Sequence, residues 1–273
     1  RQNGLVLKTH FLAYLYHTNQ YELAEWIREN VKFPSCMVDR ITPRSTEKMR
    51  REVERIFPGY GFNAVQTEEF TQWVIEDKFA SDFPDLTQVG VTITDNIEPY
   101  EETKIRILNG GHTSLAYLGV LSGYNTFDEV MNDKDHREHF KKLQMEEIVP
   151  SIDNDLPFDV YDYVDTIEKR FTSSTNVDDL ERICMDGFTK FHTFIVPSLR
   201  ACLEKGKRPI HIYKSIAAWY IYARKFARGC SKIKYTEPNW VLLEPLLKDG
   251  EIDSFVSNER LWGDIPKKHI TFT

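Results

Sequence analysis

Lys104, Asn109 and His112 stand close together in the chain, with Glu101 three residues before the lysine. A helix turns about 100° per residue, so with Lys104 at zero Glu101 falls near 60°, His112 near 80° and Asn109 near 140°. One side of a helix is therefore expected to carry all four. Ile105, Leu108, Leu115 and Ala116 lie around the same arc, and Ile107, Leu118 and Leu121 lie opposite. A helix apolar nearly all round is expected inside the protein, with a polar stripe buried in it. Burying an ammonium, an amide and an imidazole costs several kcal/mol unless each finds a partner. Gly110 and Gly111 add about 1 kcal/mol each relative to alanine, and what they permit is close approach of another body: backbone, cofactor or substrate.

The chemistry open to this set is proton abstraction beside a polarised oxygen. Lys104 is the candidate general base, provided burial and neighbouring cations bring its pKa from about 10.4 toward 7 to 8. Asn109 offers an amide N–H to an alkoxide or carbonyl oxygen, and a neutral His112 can donate a second hydrogen bond. Glu101 is placed to relay the proton to solvent or, from spacing alone, to form an ordinary ion pair with Lys104. The bland alternative is a satisfied polar network inside a helical bundle.

The elements that must position this set can be read from periodicity. Leu5–Tyr16 and Tyr21–Val31 read as helices with one apolar side. Pro34 and Pro43 bound a segment that cannot be continuous helix and is expected to be extended. Ser45 or Thr46 can cap a charged helix ending at Ile56. Ala64–Val74 and the alternating Val89–Thr94 predict a small sheet. Helices are expected over Lys104–Leu121, His136–Ile148, Val160–Phe171, Val177–Met185, Phe191–Leu203, Ile210–Phe226 and Trp240–Lys248. No G-x-G-x-x-G follows a strand and no phosphate-loop motif occurs, so the chain is expected to lack its own nucleotide-binding domain.

Composition narrows the function classes. The 273 residues carry 35 Lys and Arg against 42 Asp and Glu, a net charge of −7, which leaves no electrostatic footprint for nucleic acid or an anionic membrane. The longest apolar runs fall far short of the ~20 residues that span a bilayer, and no signal-peptide pattern opens the chain. Cys36, Cys184, Cys202 and Cys230 are scattered without a C-x-x-C pair or a close histidine cluster. Reduced thiols in a cytoplasmic protein, and no structural metal, are expected. The chain opens at Arg1, without Met, and is expected to be a piece of a longer protein.

Several motifs in consistent order carry a resemblance: Met37-Val38-Asp39-Arg40-Ile41-Thr42-Pro43, Glu69–Asp77, Lys104 with Asn109-Gly110-Gly111-His112, the Leu115–Tyr124 run, and Leu180–Phe191. Together they resemble the polyol-specific long-chain dehydrogenases, a family that includes mannitol 2-dehydrogenase, arabinitol 4-dehydrogenase and the fructuronate and tagaturonate reductases. The resemblance implies a mainly α fold: a multi-helix C-terminal substrate domain with a small β component, lacking the N-terminal Rossmann domain. Residues 1–100 would hold a linker and the first part of the substrate domain, and residues 101–273 the helical catalytic core. It further implies a metal-free oxidoreductase with Lys104 as base, Asn109 and His112 holding the reacting oxygen, and Glu101 gating the proton path. Asp39, Arg182 and Lys190 would contact the polyol hydroxyls. NAD or NADP would be bound mainly by the absent N-terminal domain, and this piece alone would be inactive. A sugar alcohol of mannitol or arabinitol type is the expected substrate. A hexuronate reductase is the runner-up, and a non-catalytic helical binding module is the alternative from another class.

Overall fold

The computed structural model describes residues 1–43, 45–59, 63–152, 156–174, 177–229, 234–248, 250–269 and 272. The chain divides into two compact units: Arg1–Thr42, Thr67–Glu102 and Asp155–Pro157 in one, and Pro43–Gln66, Thr103–Asn154 and Phe158–Thr273 in the other.

The first unit begins with helices α1 (Asn3–His17) and α2 (Tyr21–Asn30). They pack on each other through Leu15, Ala24 and Ile27. Gly4 is required at the start of α1, because a Cβ there would collide with the backbone of Phe33 and Pro34. The proline-bounded segment is extended, as its two ring constraints predict, and forms β1 (Cys36–Asp39). β1 pairs antiparallel with β2 (Gln72–Glu76), placing Asp39 opposite Gln72, and β2 pairs parallel with β3 (Thr92–Thr94). Met37, Val74 and Ile97 form the apolar layer of this small sheet.

α3 (Glu47–Ile56) belongs to the second unit, and Thr46 caps it through the Met49 N–H at 3.2 Å. α4 (Glu98–Thr103) follows β3 in the chain. It runs into a π-helical turn, Lys104–Asn109, and then α5 (Gly110–Leu121). α5 is the core of the second unit, with Gly110, Gly111, Thr113 to Tyr117 and Gly119 all buried. Around it come α6 (Phe127–Asn132), α7 (Lys134–Lys142), a π turn at Leu143–Ile148, α8 (Val160–Phe171), α9 (Leu180–Ile183) and α10 (Gly187–Lys190). A third π turn, Phe191–Ile195, leads into α11 (Val196–Glu204). α12 (Ile210–Ala227), α13 (Trp240–Lys248), α14 (Ile252–Val256), α15 (Glu259–Trp262) and α16 (Ile265–Lys268) complete the unit. Its core is aromatic, with Phe191 stacked on Trp219 at 4.5 Å and Tyr117 edge-on to Tyr222 at 5.1 Å.

The three π turns converge on the glycine pair. A Cβ on Gly110 would lie 3.2 Å from the Phe194 carbonyl of the third turn. One on Gly111 would lie 2.7 Å from both Gln144 Nε2, in the second turn, and a ring carbon of Phe140. Gln144 Nε2 in turn donates to the Ile107 carbonyl of the first turn at 3.1 Å. The bodies that Gly110 and Gly111 admit are therefore protein backbone and side chains.

Candidate active site

Within the second unit, Asn109, His112, Thr113, Arg182, Ile183, Lys190 and Phe194 line one cavity of about 210 Å³. Asn109 closes the π turn, and His112 lies on the first turn of α5. Because π turns pair i with i+5, they take less rotation per residue than α turns. The uniform 100° wheel used above therefore does not describe Lys104–Asn109.

His112 is held between rings. Phe127 meets it edge-on at 4.2 Å and Phe171 stacks on it at 5.3 Å. Burial is the main cause that lowers its pKa to about 4, and the charges of Lys190, Arg182 and Lys104 lower it further against the pull of Asp178. At neutral pH the imidazole is uncharged and carries one N–H donor and one acceptor. Lys104 thus shares the electrostatic neighbourhood of His112, and its half-buried side chain starts the π turn.

Arg182 and Lys190 come from α9 and α10, and the short link between them is tightly built. Lys190 Nζ donates to the Ile183 carbonyl at 2.7 Å, which leaves other N–H donors of the ammonium for a ligand oxygen. Burial, followed by the positive charge of Arg182, lowers the Lys190 pKa, with Cys184, Asp186 and Asp178 opposing. Asp186 takes the left-handed conformation at φ 54°, and its N–H is held by the Thr236 carbonyl at 2.9 Å. Gly187 then opens α10 against Trp219, Tyr235 and Tyr117, where a side chain has no room. Glu237 accepts from the Phe188 N–H at 3.0 Å and from Tyr235 Oη at 2.8 Å.

Asp178 escapes a reading by motif. Its buried carboxylate accepts from Arg182 Nε at 2.8 Å and from Arg182 Nη2, and one oxygen lies 3.9 Å from His112 Nε2. A detectable signal was present in the spacing, since Asp178 and Arg182 are four residues apart, the interval of an ion pair on a helix.

The other two candidates lie in the first unit. Asp39 is buried at the end of β1. Glu101 is buried, and both carboxylate oxygens lie 2.9 Å from the Gln2 backbone nitrogen. Its charge therefore anchors the chain before α1.

Around His112 the charges of Lys190, Arg182 and Lys104 are opposed by Asp178, which acts on the ring more strongly than any one of them. The three cations can stabilise negative charge developing on an oxygen, while burial keeps the imidazole neutral beside it. Among the described residues, no group of three or more His, Cys, Asp or Glu side chains is arranged to hold a metal ion, and no helix is long and apolar enough to cross a membrane.

A helical unit whose core helix opens on a glycine pair brings a neutral imidazole, a carboxamide and two cations to one cavity. The chain belongs to the mannitol dehydrogenase family: residues 96–272 match the mannitol dehydrogenase C-terminal domain and residues 1–88 the mannitol dehydrogenase Rossmann domain. It is 34% identical over 241 residues to a mannitol 2-dehydrogenase of Phaeosphaeria nodorum, covering 87% of this chain and 42% of that protein. To a mannitol 2-dehydrogenase of Cereibacter sphaeroides it is 37% identical over 233 residues, covering 85% of this chain and 48% of that protein. Among solved structures, the Pseudomonas fluorescens mannitol 2-dehydrogenase in ternary complex with NAD and D-mannitol superposes with a TM-score of 0.84 at 32% identity, covering 99% of this chain and 55% of that one. The chain spans about half the length of these relatives.

The Rossmann match at residues 1–88 corrects the expectation of a mainly α substrate domain lacking the N-terminal Rossmann domain. The expectation rested on the missing glycine-rich fingerprint. That fingerprint marks only the first βα turn of such a domain. Its other strands and helices carry no comparable signature, so a missing motif does not establish a missing domain.

Proposed function

We propose that this chain provides the substrate-binding and catalytic part of a cytoplasmic NAD-dependent secondary-alcohol dehydrogenase that interconverts a sugar alcohol of mannitol type and a ketose. The observation that carries the reading is the single cavity lined by Asn109, His112, Arg182 and Lys190, with the charge of Lys104 acting on His112. Family membership and relatives named for mannitol oxidation support it.

In the oxidative direction Lys104 takes the hydroxyl proton as its amine becomes an ammonium. Asn109 donates its amide N–H, and neutral His112 its one ring N–H, to the oxygen as charge builds on it. Arg182 and Lys190 donate to neighbouring hydroxyls, which fixes the register of a linear polyol. The nicotinamide, when bound, supplies the hydride acceptor. The sequence holds no glycine-rich strand-to-helix turn for a pyrophosphate, so no residue here is assigned to hold the dinucleotide. Glu101 would act on the proton path only by giving up its contact with the Gln2 N–H.

The test uses the full-length protein. Lys104→Ala is expected to lower turnover at least about a hundredfold with cofactor binding intact, as for loss of a general base. Unchanged turnover refutes that role. Oxidation of reduced NAD in the presence of fructose, xylulose, fructuronate and tagaturonate identifies the substrate, with fructose expected to be the best; a preference for either uronate would overturn the polyol assignment.

A further inference from the structure

The support beneath Arg182 and His112 is itself built, and it converges on one residue, Asp178. Asp178 is 4% exposed, whereas the Arg182 side chain it holds is 41% exposed. An arginine reaching that far from the protein surface wanders among rotamers unless something fixes it. Both ends of the Asp178 carboxylate do so, one oxygen on Nε at 2.8 Å and the other on Nη2, the two-point geometry that sets the plane of a guanidinium.

The carboxylate hangs from backbone that cannot easily shift. The Asp178 carbonyl accepts from the Phe127 N–H at 2.9 Å, Leu180 N–H reaches the Asn125 carbonyl at 3.0 Å, and Thr126 bridges to Asp179. This short strip joins the start of α6 to the start of α9. The Phe127 ring, fixed by the same strip, presses edge-on against His112, and Asp178 Oδ2 lies 3.9 Å from His112 Nε2. Two site residues from different helices are thus referenced to a single anchor.

We propose that Asp178 is a positioning residue that aims the Arg182 guanidinium into the cavity. The proposal rests on the dehydrogenase reading for its kinetic consequence and on geometry alone for the placement. Asp178 touches no reacting atom. Its effect passes through Arg182, which holds substrate in ground and transition states alike, so substrate affinity suffers more than turnover.

The experiment uses the full-length protein with D-mannitol and NAD. Asp178→Asn keeps the shape and removes the charge. It is expected to raise the KM for mannitol at least tenfold, to lower kcat by a smaller factor, and to leave NAD affinity unchanged. Asp178→Glu keeps the charge on a longer arm, misplaces the guanidinium, and is expected to raise KM at least threefold; it decides the matter if the Asn variant does not fold. In the Asp178→Asn and Arg182→Ala double variant, KM should be no worse than for Arg182→Ala alone. Wild-type KM in both single variants, or losses that multiply in the double variant, overturn the proposal. If the wild-type protein oxidises no polyol, the dehydrogenase reading fails instead. The placement is then decided by the Arg182 Nε–H resonance: slow exchange in the wild type and fast exchange in Asp178→Asn support it, and equal exchange overturns it.

Discussion

Gly187→Ala is the most informative single substitution outside the cavity lining, because it perturbs the start of α10 without touching a charged group. An added Cβ would lie 2.7 Å from Tyr117 Oη and closer still to Trp219 Nε1 and Tyr235 Oη. All three belong to buried rings that cannot swing aside, so the helix must move. Overpacking of this kind costs about 1–3 kcal/mol. The Trp219–Tyr235 and Tyr235–Glu237 hydrogen bonds, each worth about 1 kcal/mol net, stand in the path of the shift. Alanine regains about 1 kcal/mol over glycine in a helix. The expected loss is about 2–4 kcal/mol, or roughly 4–16 °C in the melting temperature of a unit of this size. Thermal unfolding followed by tryptophan emission reads the change at Trp219, one of the displaced groups. A melt within about 2 °C of wild type would falsify the packing account.

Other perturbations reach different parts of the structure. Gly111→Ala places a Cβ 2.7 Å from Gln144 Nε2 and Phe140, and is expected to cost about 1–3 kcal/mol in urea unfolding; no change would mean that Gln144 has room to move off the Ile107 carbonyl. His112 and buried His139 are held at pKa values of about 4 and about 3, each mainly by burial. Folding thus opposes their protonation, and their contribution is complete above about pH 6.5 and lost as pH falls toward those values. Each should cost about 2 kcal/mol between pH 6.5 and 5, and His139→Gln should remove about half of that slope; an unaltered slope refutes the burial argument. Treatment of the full-length protein with a metal chelator is expected to leave turnover unchanged, and a loss restored by added zinc would point to Lewis-acid chemistry instead.

Much of the local structure was legible because its causes are local. Val160–Phe171 and Trp240–Lys248 fall where periodicity alone puts them, and the prolines at 34 and 43 bound the segment that becomes β1. The motif around Asn109 and His112 marked two residues that line one cavity with Arg182 and Lys190. What stayed hidden depended on non-local partners. The π turn at Lys104–Asn109 has Gln144, far along the chain, bonded to one of its carbonyls, and nothing in a helical wheel reports that. The wheel shows only that Glu101 lies near Lys104, and nothing in it reports the backbone N–H ninety-nine residues away that the carboxylate also meets. Asp178 stood one helical interval from Arg182, but its second neighbour, His112, is brought to it only by the packing of α5.

Each of the three wide turns that meet around Gly110 and Gly111 takes up one residue more than an α turn would. A π turn holds one residue more than an α turn in nearly the same rotation, so removing one residue from Lys104–Asn109 lets the segment close as an ordinary helix with its flanks almost in phase. The phase of a regular helix has no such slack: one residue inserted within Gly110–Leu121 would turn everything beyond it by about 100°.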